Sequence, residues 1–264
     1  MFATDVAMPI TELAQACEAR GFASLYLPEH THIPTSRSTP APTGDAALPE
    51  EYRRTLDPFV ALSTAAAVTE KLRIGTGICL VVEHDPIVLA KQVASLDHES
   101  GGRFIFGIGA GWNEEEMRNH GTDPARRFGV LRERVEAMKA IWSQEEASYH
   151  GDHVSFDGVW SWPKPAQSPH PPILLGGHGR GVLERVARYA DEWFPNRIGS
   201  DDKVIARIEE LGRPCTLALA PTEPELIERY AAAGVHRCVY WVPPGLREDL
   251  ERRLDRLAGQ VLTG

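Results

Sequence analysis

The 264-residue sequence lacks the features that mark membrane-spanning proteins, secreted proteins and domains held together by zinc or disulfides. It has no run of about 18 apolar residues, so no membrane-spanning helix is expected. The N-terminal residues have neither the basic start nor the apolar segment of a signal peptide. The four cysteines, Cys17, Cys79, Cys215 and Cys238, are far apart and form no C-x-x-C pair. This spacing favours reduced, buried thiols in a cytoplasmic protein over a disulfide framework or a zinc site.

Basic residues are fewer than acidic ones. The sequence has 28 Lys and Arg against 37 Asp and Glu, which gives a net charge of −9. Nucleic acids and anionic membranes are bound through clustered Lys and Arg. The clusters here, such as Arg53-Arg54 and Arg126-Arg127, are short and lie among acids, so a small molecule is the expected ligand. The chain is long enough to bury a core. Because no linker divides it, we predict one domain over residues 1–264.

Short apolar strands and amphipathic helices alternate along the chain, which predicts an α/β fold with a parallel sheet. If Met1–Thr4 is the stub of a shortened first strand, there are eight strands, each followed by a helix. Eight such units in about 250 residues are typical of a TIM (β/α)8 barrel. A doubly wound sheet would need fewer strands and an early G-x-G-x-x-G, which is absent. Residues 144–171 break the rhythm and predict an inserted β-hairpin.

The active site of a TIM barrel lies at the C-terminal ends of its strands, so the residues that follow each predicted strand are the candidate site residues. His30 follows the strand at residues 23–27. The next predicted strand covers residues 72–82 and is interrupted by two glycines, Gly75 and Gly77, and the other candidates lie in it or follow the later strands. The candidate cofactor-binding residues are Thr76, Gly77, Ile78, Gly109, Ala110, Gly111, Trp112, Gly176, Gly177, His178 and Gly179.

The segment Gly176–Gly181, with sequence GGHGRG, gives the clearest ligand signal because it opens a helix after a strand. Glycines let the backbone approach an anion, and the helix N-terminus attracts it. The segment therefore favours phosphate binding, although a plain flexible turn remains an alternative. Gly109 and Gly111 suggest close approach to a flat ring or a ribityl-like chain. Trp112 is either a wall of that pocket or a core aromatic residue.

The pair His30 and His32 raises the alternative of a metal-dependent hydrolase, since alternate residues of a strand share a face. That site needs further ligands and an Asp after the last strand, and the last strand ends near Trp241 instead. We therefore predict no metal, a functional role for His30 and a surface position for His32. The three acids Glu114–Glu116 are most simply the first turn of a helix, and the remaining histidines are interpreted as surface or structural residues.

Several stretches together resemble the luciferase-like monooxygenase superfamily, specifically its branch that depends on the deazaflavin coenzyme F420. The stretches are GFASLYLPEHTHIP, LDPFVALSTAAAVTEKLRIGTGICL, DPIVLAKQVASLDHESGGRFIFGIGAGWNEEEMRNHG, WPKPAQSPHPPILLGGHG and YADEWFPN.

The resemblance implies a TIM barrel that binds one flavin-like cofactor at its mouth. It implies a cis peptide bond at Gly77-Ile78, which forms a bulge behind the cofactor ring. It also implies that Gly176 and Gly177 hold the cofactor phosphate and that His30 acts as an acid or base near the reactive ring carbon. Some sugar-phosphate dehydrogenase relatives carry Glu where this chain has Trp112, and Trp where it has Pro34. The substrate of those relatives is therefore not expected for this sequence.

The resemblance predicts an F420-dependent oxidoreductase that transfers a hydride between the cofactor and a small organic substrate, with His30 as proton donor or acceptor. One alternative is an FMN-dependent monooxygenase, and a second is a flavin-binding protein without catalysis. A homodimer is also expected from the resemblance. Oxygen uptake separates the first two functions, because a reduced deazaflavin reacts poorly with O2.

Overall fold

The computed structural model describes residues 1–41 and 47–262, and part of the long loop at residues 28–56 lies outside them. Its centre is an eight-stranded parallel sheet that curves into a nearly closed barrel, as the sequence predicts. Around the barrel the strand order is β1-β2-β4-β7-β8-β9-β10, and β3 also pairs with β4. The strands are β1 (Ser24–Leu27), β2 (Arg73–Thr76), β3 (Cys79–Leu80), β4 (Phe104–Gly109), β5 (Ala147–His150), β6 (Ser155–Val159), β7 (Ile173–Gly176), β8 (Glu192–Phe194), β9 (Cys215–Ala218) and β10 (Val235–Val239).

Helices follow the strands and cover the outside of the barrel. Local signals set several of their ends. Asp57 caps α2 by accepting a hydrogen bond from the backbone of Val60, with Pro58 in the first turn, and Asp85 caps α3 in the same way. The helices are α1 (Ile10–Ala19), α2 (Pro58–Ala67), α3 (Pro86–Glu99), α4 (Glu114–Asn119), α5 (Arg127–Ser143), α6 (Val182–Tyr189), α7 (Asp201–Leu211), α8 (Pro224–Ala233) and α9 (Arg247–Val261), and short 3-10 helices lie at Glu50–Arg54, Val81–Glu83 and Pro124–Arg126.

The first predicted strand differs from the structure. Met1–Thr4 contains one isolated antiparallel bridge, from Thr4 to Thr55, and no parallel strand. The eight strands arise instead because the predicted strand at residues 72–82 is divided into β2 and β3 at the cis peptide bond Gly77-Ile78. Among the described residues β1 and β10 do not pair with each other. A cavity of about 290 Å³ lies between these two strands.

Two apolar cores hold the barrel together. The larger core lies between the sheet and its helices, where Phe104, Trp193 and Leu62 are fully buried. A smaller cluster fills the inside of the barrel and consists of Tyr26, Ile105, Leu174 and Phe194. Because this cluster plugs the interior, a ligand has access to the ends of the strands and not to a central channel.

The predicted insertion is confirmed as an antiparallel hairpin of β5 and β6. All four cysteines are free, and three of them are buried. None of the helices in the described part of the chain combines the length and the apolar character needed to cross a bilayer.

Candidate functional site

His30 lies at the mouth of the barrel, three residues after β1, and its side chain is only 7% exposed. Its Nδ1 atom forms a 2.8 Å hydrogen bond with Oε2 of Glu116, a residue that is completely buried. The other oxygen of Glu116 accepts a 3.1 Å bond from the backbone N–H of Thr31, and the Asn113 amide donates to Oε2 at 3.3 Å. Because Nδ1 is engaged, Nε2 is the ring nitrogen of His30 that is left for a ligand.

The sequence interpretation of Glu114–Glu116 as one acidic helix turn missed this pair. The three carboxylates of α4 point in different directions. Glu114 pairs with Arg118 at the surface, Glu115 accepts bonds from Ser38 and Thr39 in the long loop after β1, and Glu116 faces His30. Helical periodicity turns each successive residue by about 100°, so the three acids face different ways, and Glu116 is the one that the fold buries while Glu114 and Glu115 stay partly exposed. Its partner, however, lies 86 positions away in the sequence.

A second buried carboxylate, Glu29, fixes the end of β1 to β3. Its Oε2 accepts a 2.6 Å hydrogen bond from the backbone N–H of Leu80, and its Oε1 lies 2.9 Å from Nε2 of His84. Burial alone would raise the pKa of Glu29, but these bonds outweigh it and leave the pKa below its ordinary value. His84, interpreted from the sequence as a surface or structural residue, is therefore the partner of Glu29.

Glu29, His84 and Cys79 bring their ligand-type atoms within 4.8 Å of one another. The carboxylate is already satisfied by hydrogen bonds, and burial raises the pKa of the Cys79 thiol well above its ordinary value, as does Glu29. The thiol therefore keeps its proton in this arrangement. The cluster is best explained as a structural connection. His30 and His32 do not converge, because His32 bonds instead to Thr31 and Asn119.

The predicted cofactor-binding residues come together on three neighbouring strand ends. Ile78 is their centre, because its side chain occupies the space beside two glycines. A Cβ atom on Gly109 would lie 2.5 Å from Cδ1 of Ile78, and one on Gly176 would lie 3.1 Å from its Cγ2. The Gly77-Ile78 peptide bond is cis, as the resemblance implies. Gly109 therefore accommodates Ile78, and the predicted close approach of a ligand to Gly109 is not needed to explain it.

Four of these residues are placed by neighbouring protein groups. Thr76 is buried and its hydroxyl donates a 2.7 Å hydrogen bond to the carbonyl of Gly107. Ala110 is buried, and Gly111 has a positive φ of 74° with Leu80 close to its Cβ position. Trp112 lies beside His30, with 5.8 Å between the ring centroids. This contact places Trp112 at the wall of the mouth.

The glycine loop after β7 is open where a ligand would approach. Gly177 has a φ of 113°, and no atom lies within 4 Å of a Cβ placed on Gly177 or Gly179. The carbonyl of Gly177 accepts a 3.0 Å hydrogen bond from the indole N–H of Trp193. This bond fixes the position of the loop. The His178 Nε2 atom is buried and has no hydrogen-bond partner. An open cradle beside an unsatisfied buried donor or acceptor fits a bound phosphate group.

Electrostatics at this loop also suit an anion. The guanidinium of Arg207 on α7 donates a 2.9 Å hydrogen bond to the carbonyl of His178 and lies 5.2 Å from the ring centroid of Trp193. Burial, together with Arg207, lowers the pKa of His178. The imidazole is therefore neutral at pH 7, and the positive charge beside the loop comes from Arg207.

Comparisons with known proteins agree with the barrel fold and identify the family. A family model described as luciferase-like monooxygenase matches residues 4–213. An uncharacterised protein of Mycobacterium tuberculosis is 41% identical over 273 aligned residues, covering 99% of this chain and 96% of that protein. The FMNH2-dependent dimethylsulfone monooxygenase of Pseudomonas putida is 34% identical over 148 residues, which are 55% of this chain and 40% of that enzyme.

Among solved structures, an F420-dependent secondary alcohol dehydrogenase in complex with an F420-acetone adduct has a TM-score of 0.72 and 17% identity. The match covers 96% of this chain and 93% of that chain, and it shows the barrel fold alone. The family model spans most of the chain and includes His30, Glu116 and the glycine loop. The chain belongs to the luciferase-like monooxygenase family.

Proposed function

We propose that the protein is an oxidoreductase that uses coenzyme F420 to transfer a hydride to or from a small organic substrate at the mouth of the barrel. Membership of the luciferase-like monooxygenase family makes it an enzyme. The observation that carries the proposal is the buried His30–Glu116 pair, which lies at the same mouth as the open glycine loop. A bound deazaflavin supplies hydride chemistry at its ring carbon C5.

His30 supplies the proton that such a reaction needs. When a carbonyl carbon receives a hydride, its C–O double bond becomes single and the oxygen takes a proton from Nε2 of His30. In the opposite direction Nε2 takes the hydroxyl proton as the hydride leaves. Glu116 keeps the imidazole oriented through Nδ1 and stabilises its positive charge whenever Nε2 is protonated. The low exposure of both side chains limits exchange of this proton with bulk water.

The cofactor would lie across the strand ends that meet at Ile78. Backbone groups of Gly176–Gly179 and the side chain of His178 would hold its phosphate, with Arg207 contributing charge. Ile78, with Gly77 and Thr76 behind it, would support the ring, and the segment Gly109–Trp112 would border it. The donor set is suited to a phosphate and an apolar ring.

FMN-dependent monooxygenation is the second candidate function. The relative from Pseudomonas putida is FMNH2-dependent, and FMN also presents a phosphate and a flat three-ring system. The glycine loop suits both cofactors. The two functions differ in oxygen use, because reduced FMN reacts readily with O2.

A side-by-side fluorescence titration of the purified protein with F420 and with FMN tests the proposal. We expect saturable binding of F420 at micromolar concentration or tighter, with FMN at least about tenfold weaker, a difference of about 1.4 kcal/mol. A preference for FMN, with oxygen uptake on reduction, would move the function to the monooxygenase. Saturable binding of neither cofactor would overturn both.

We also propose that the protein forms a homodimer through the neighbouring helices α2 and α3. Val60 is 70% exposed and Val88 is 56% exposed, and both lie on these two packed helices. Trp162 is also exposed, and its carbonyl accepts a hydrogen bond from Lys91 of α3, which extends the same surface. Exposed apolar residues grouped in this way are typical of a protein interface.

A further inference from the structure

An arc of aromatic rings borders one side of the barrel mouth. Trp241 contacts Phe2, with 5.6 Å between ring centroids, and Phe2 contacts Tyr52 at 4.6 Å. Tyr52 lies 5.3 Å from His30, and His30 lies 5.8 Å from Trp112. The candidate proton donor therefore has two aromatic neighbours, Tyr52 and Trp112.

The position of this aromatic arc separates it from the glycine loop. Trp241 and His30 follow β10 and β1, the two strands at the ends of the pairing order, whereas the glycine loop follows β7, the middle strand of the seven in that order. The aromatic arc and the glycine loop therefore face each other across the mouth. A cofactor whose phosphate lies in the loop and whose ring lies over Ile78 leaves the aromatic arc for the second reactant.

The charged side chains beside the aromatic arc have partners of their own. Arg54, next to Tyr52, pairs with Asp5 and Glu50. Arg37 lies over the ring of Trp112, 5.6 Å from its centroid, and donates a hydrogen bond to the carbonyl of Thr39. Because Arg37 covers Trp112 and Phe2 is buried, Tyr52 and Trp241 are the rings of the arc that are left for a ligand.

Two exposed apolar side chains continue the wall at the ends of β9 and β10. Trp241 is 43% exposed and Leu219 is 39% exposed. Leu219 also has a positive φ of 55°. Among the described residues, no other non-glycine residue has a positive φ. A left-handed backbone is unfavourable for a leucine, and residues in such conformations cluster at active sites and ligand clamps.

We propose that the organic substrate carries a flat aromatic ring beside its reacting carbonyl or hydroxyl group, and that this ring packs against Tyr52 and Trp241 while the oxygen reaches Nε2 of His30. This inference rests on the proposed function for its reaction, but its binding surface exists in the protein without cofactor. Ring-on-ring contacts favour an aromatic ligand over a saturated one of equal size, because the edge and face of aromatic rings carry opposite partial charge.

Ligand-observed NMR on the cofactor-free protein tests the inference with two ketones of nearly equal size, acetophenone and cyclohexyl methyl ketone. We expect acetophenone to bind about threefold to tenfold more tightly, the range that corresponds to one favourable aromatic pair. Tyr52→Leu and Trp241→Leu should each remove most of this preference. The matched control is Trp160→Leu, which replaces a 76% exposed indole beyond the hairpin strand β6 and should leave the preference unchanged.

Equal affinity for the two ketones, or binding of neither, would overturn the inference. Loss of the preference in the Trp160 variant would do the same, because the ring-binding surface would then lie elsewhere. The outcome is separable from that of the proposed function. Cofactor binding without ring preference overturns this inference alone, whereas ring preference without binding of F420 overturns the proposed cofactor alone.

Discussion

At the scale of single residues, the site depends on contacts between side chains that are distant in sequence. The position of His30 could be predicted, because a residue that follows a barrel strand lies at the mouth. Its partner could not, since nothing local distinguishes Glu116 from Glu114 and Glu115. Only the fold, which places β1 and β4 near each other, brings Nδ1 of His30 to 2.8 Å from Oε2 of Glu116.

The first prediction concerns this pair. His30→Ala should lower turnover by about 10²–10⁴-fold, the usual contribution of a general acid or base. Glu116→Gln keeps the shape but not the charge, and we expect a loss of about 10–100-fold, by analogy with the loss when a carboxylate that orients a metal-bound histidine is removed. Steady-state kinetics and cofactor titration measure both effects, and cofactor affinity should change less than about twofold.

The matched control is Glu114→Gln, which removes a surface carboxylate from the same turn of α4. Its turnover should equal that of the wild type. If Glu116→Gln were as active as this control, His30 would not depend on the pair.

The second prediction separates two glycines that look alike in the sequence. Gly109→Ala forces a Cβ atom against Ile78 and should destabilise the protein by about 1–3 kcal/mol, as overpacking does. Gly179→Ala meets open space, so its melting temperature should stay within about 1–2 °C of the wild type, as for a substitution worth about 0.5 kcal/mol, while its cofactor affinity falls. Calorimetry and fluorescence titration give the two readouts. Equal melting temperatures for the two variants would contradict the role given to Ile78.

At the scale of elements, the parts with local signals could be predicted closely. Aspartate followed by proline marks the starts of α2 and α3, and both helices begin there. The strand at residues 72–82 shows the limit of such signals. Its two glycines indicated an irregularity, but its division into β2 and β3 depends on packing against β4, which lies about 30 positions further along.

The third prediction concerns the 3-10 helix Val81–Glu83, which follows β3. Burial, with help from Glu116 and Glu29, raises the pKa of Glu83 to about 9 in the folded protein, from 4.5 for an ordinary glutamate. The folded state therefore binds a proton that the unfolded chain releases between these values. The resulting stabilisation is complete below about pH 4.5 and is lost as the pH rises through about 9.

Melting temperature measured from pH 5 to pH 9.5 tests this sign. The wild type should lose stability with rising pH more steeply than Glu83→Gln, by at least about 2–4 °C, which corresponds to about 1 kcal/mol in a protein of this size. Glu99→Gln, at an exposed position near the end of α3, should follow the wild-type curve. Parallel curves for the wild type and Glu83→Gln would show that Glu83 is ionised in the folded state.

At the scale of the whole molecule, the fold class could be predicted from the alternation of strands and helices. The apolar side chains that remain exposed on the folded surface could not. Assembly depends on which apolar side chains the fold leaves outside. Nothing in the sequence distinguishes Val60 and Val88 from core valines. Both are more than half exposed, because each lies on the outer side of a helix that covers the barrel.

The fourth prediction tests the proposed dimer. Light scattering should give twice the chain mass of 29.1 kDa for the wild type, and Val88→Glu should reduce it to the single-chain mass, because a buried, unpaired carboxylate disfavours an interface. Leu246→Glu introduces the same charge at a 69% exposed position just before α9 and should remain dimeric. A wild-type protein of single-chain mass at micromolar concentration would contradict the proposal.

The unpaired strands β1 and β10 have a consequence for hydrogen exchange. Each has a main-chain edge without a strand partner in the described chain, while β4 is paired on both sides and completely buried. Protection from exchange follows the free energy of local opening, which is lowest where backbone bonds are few. Deuterium should therefore enter the amides of β1 and β10 first and those of β4 last. The barrel would then open from one side, next to His30, and the segment that carries the proton donor would be the part of the sheet with the greatest freedom to adjust around a ligand.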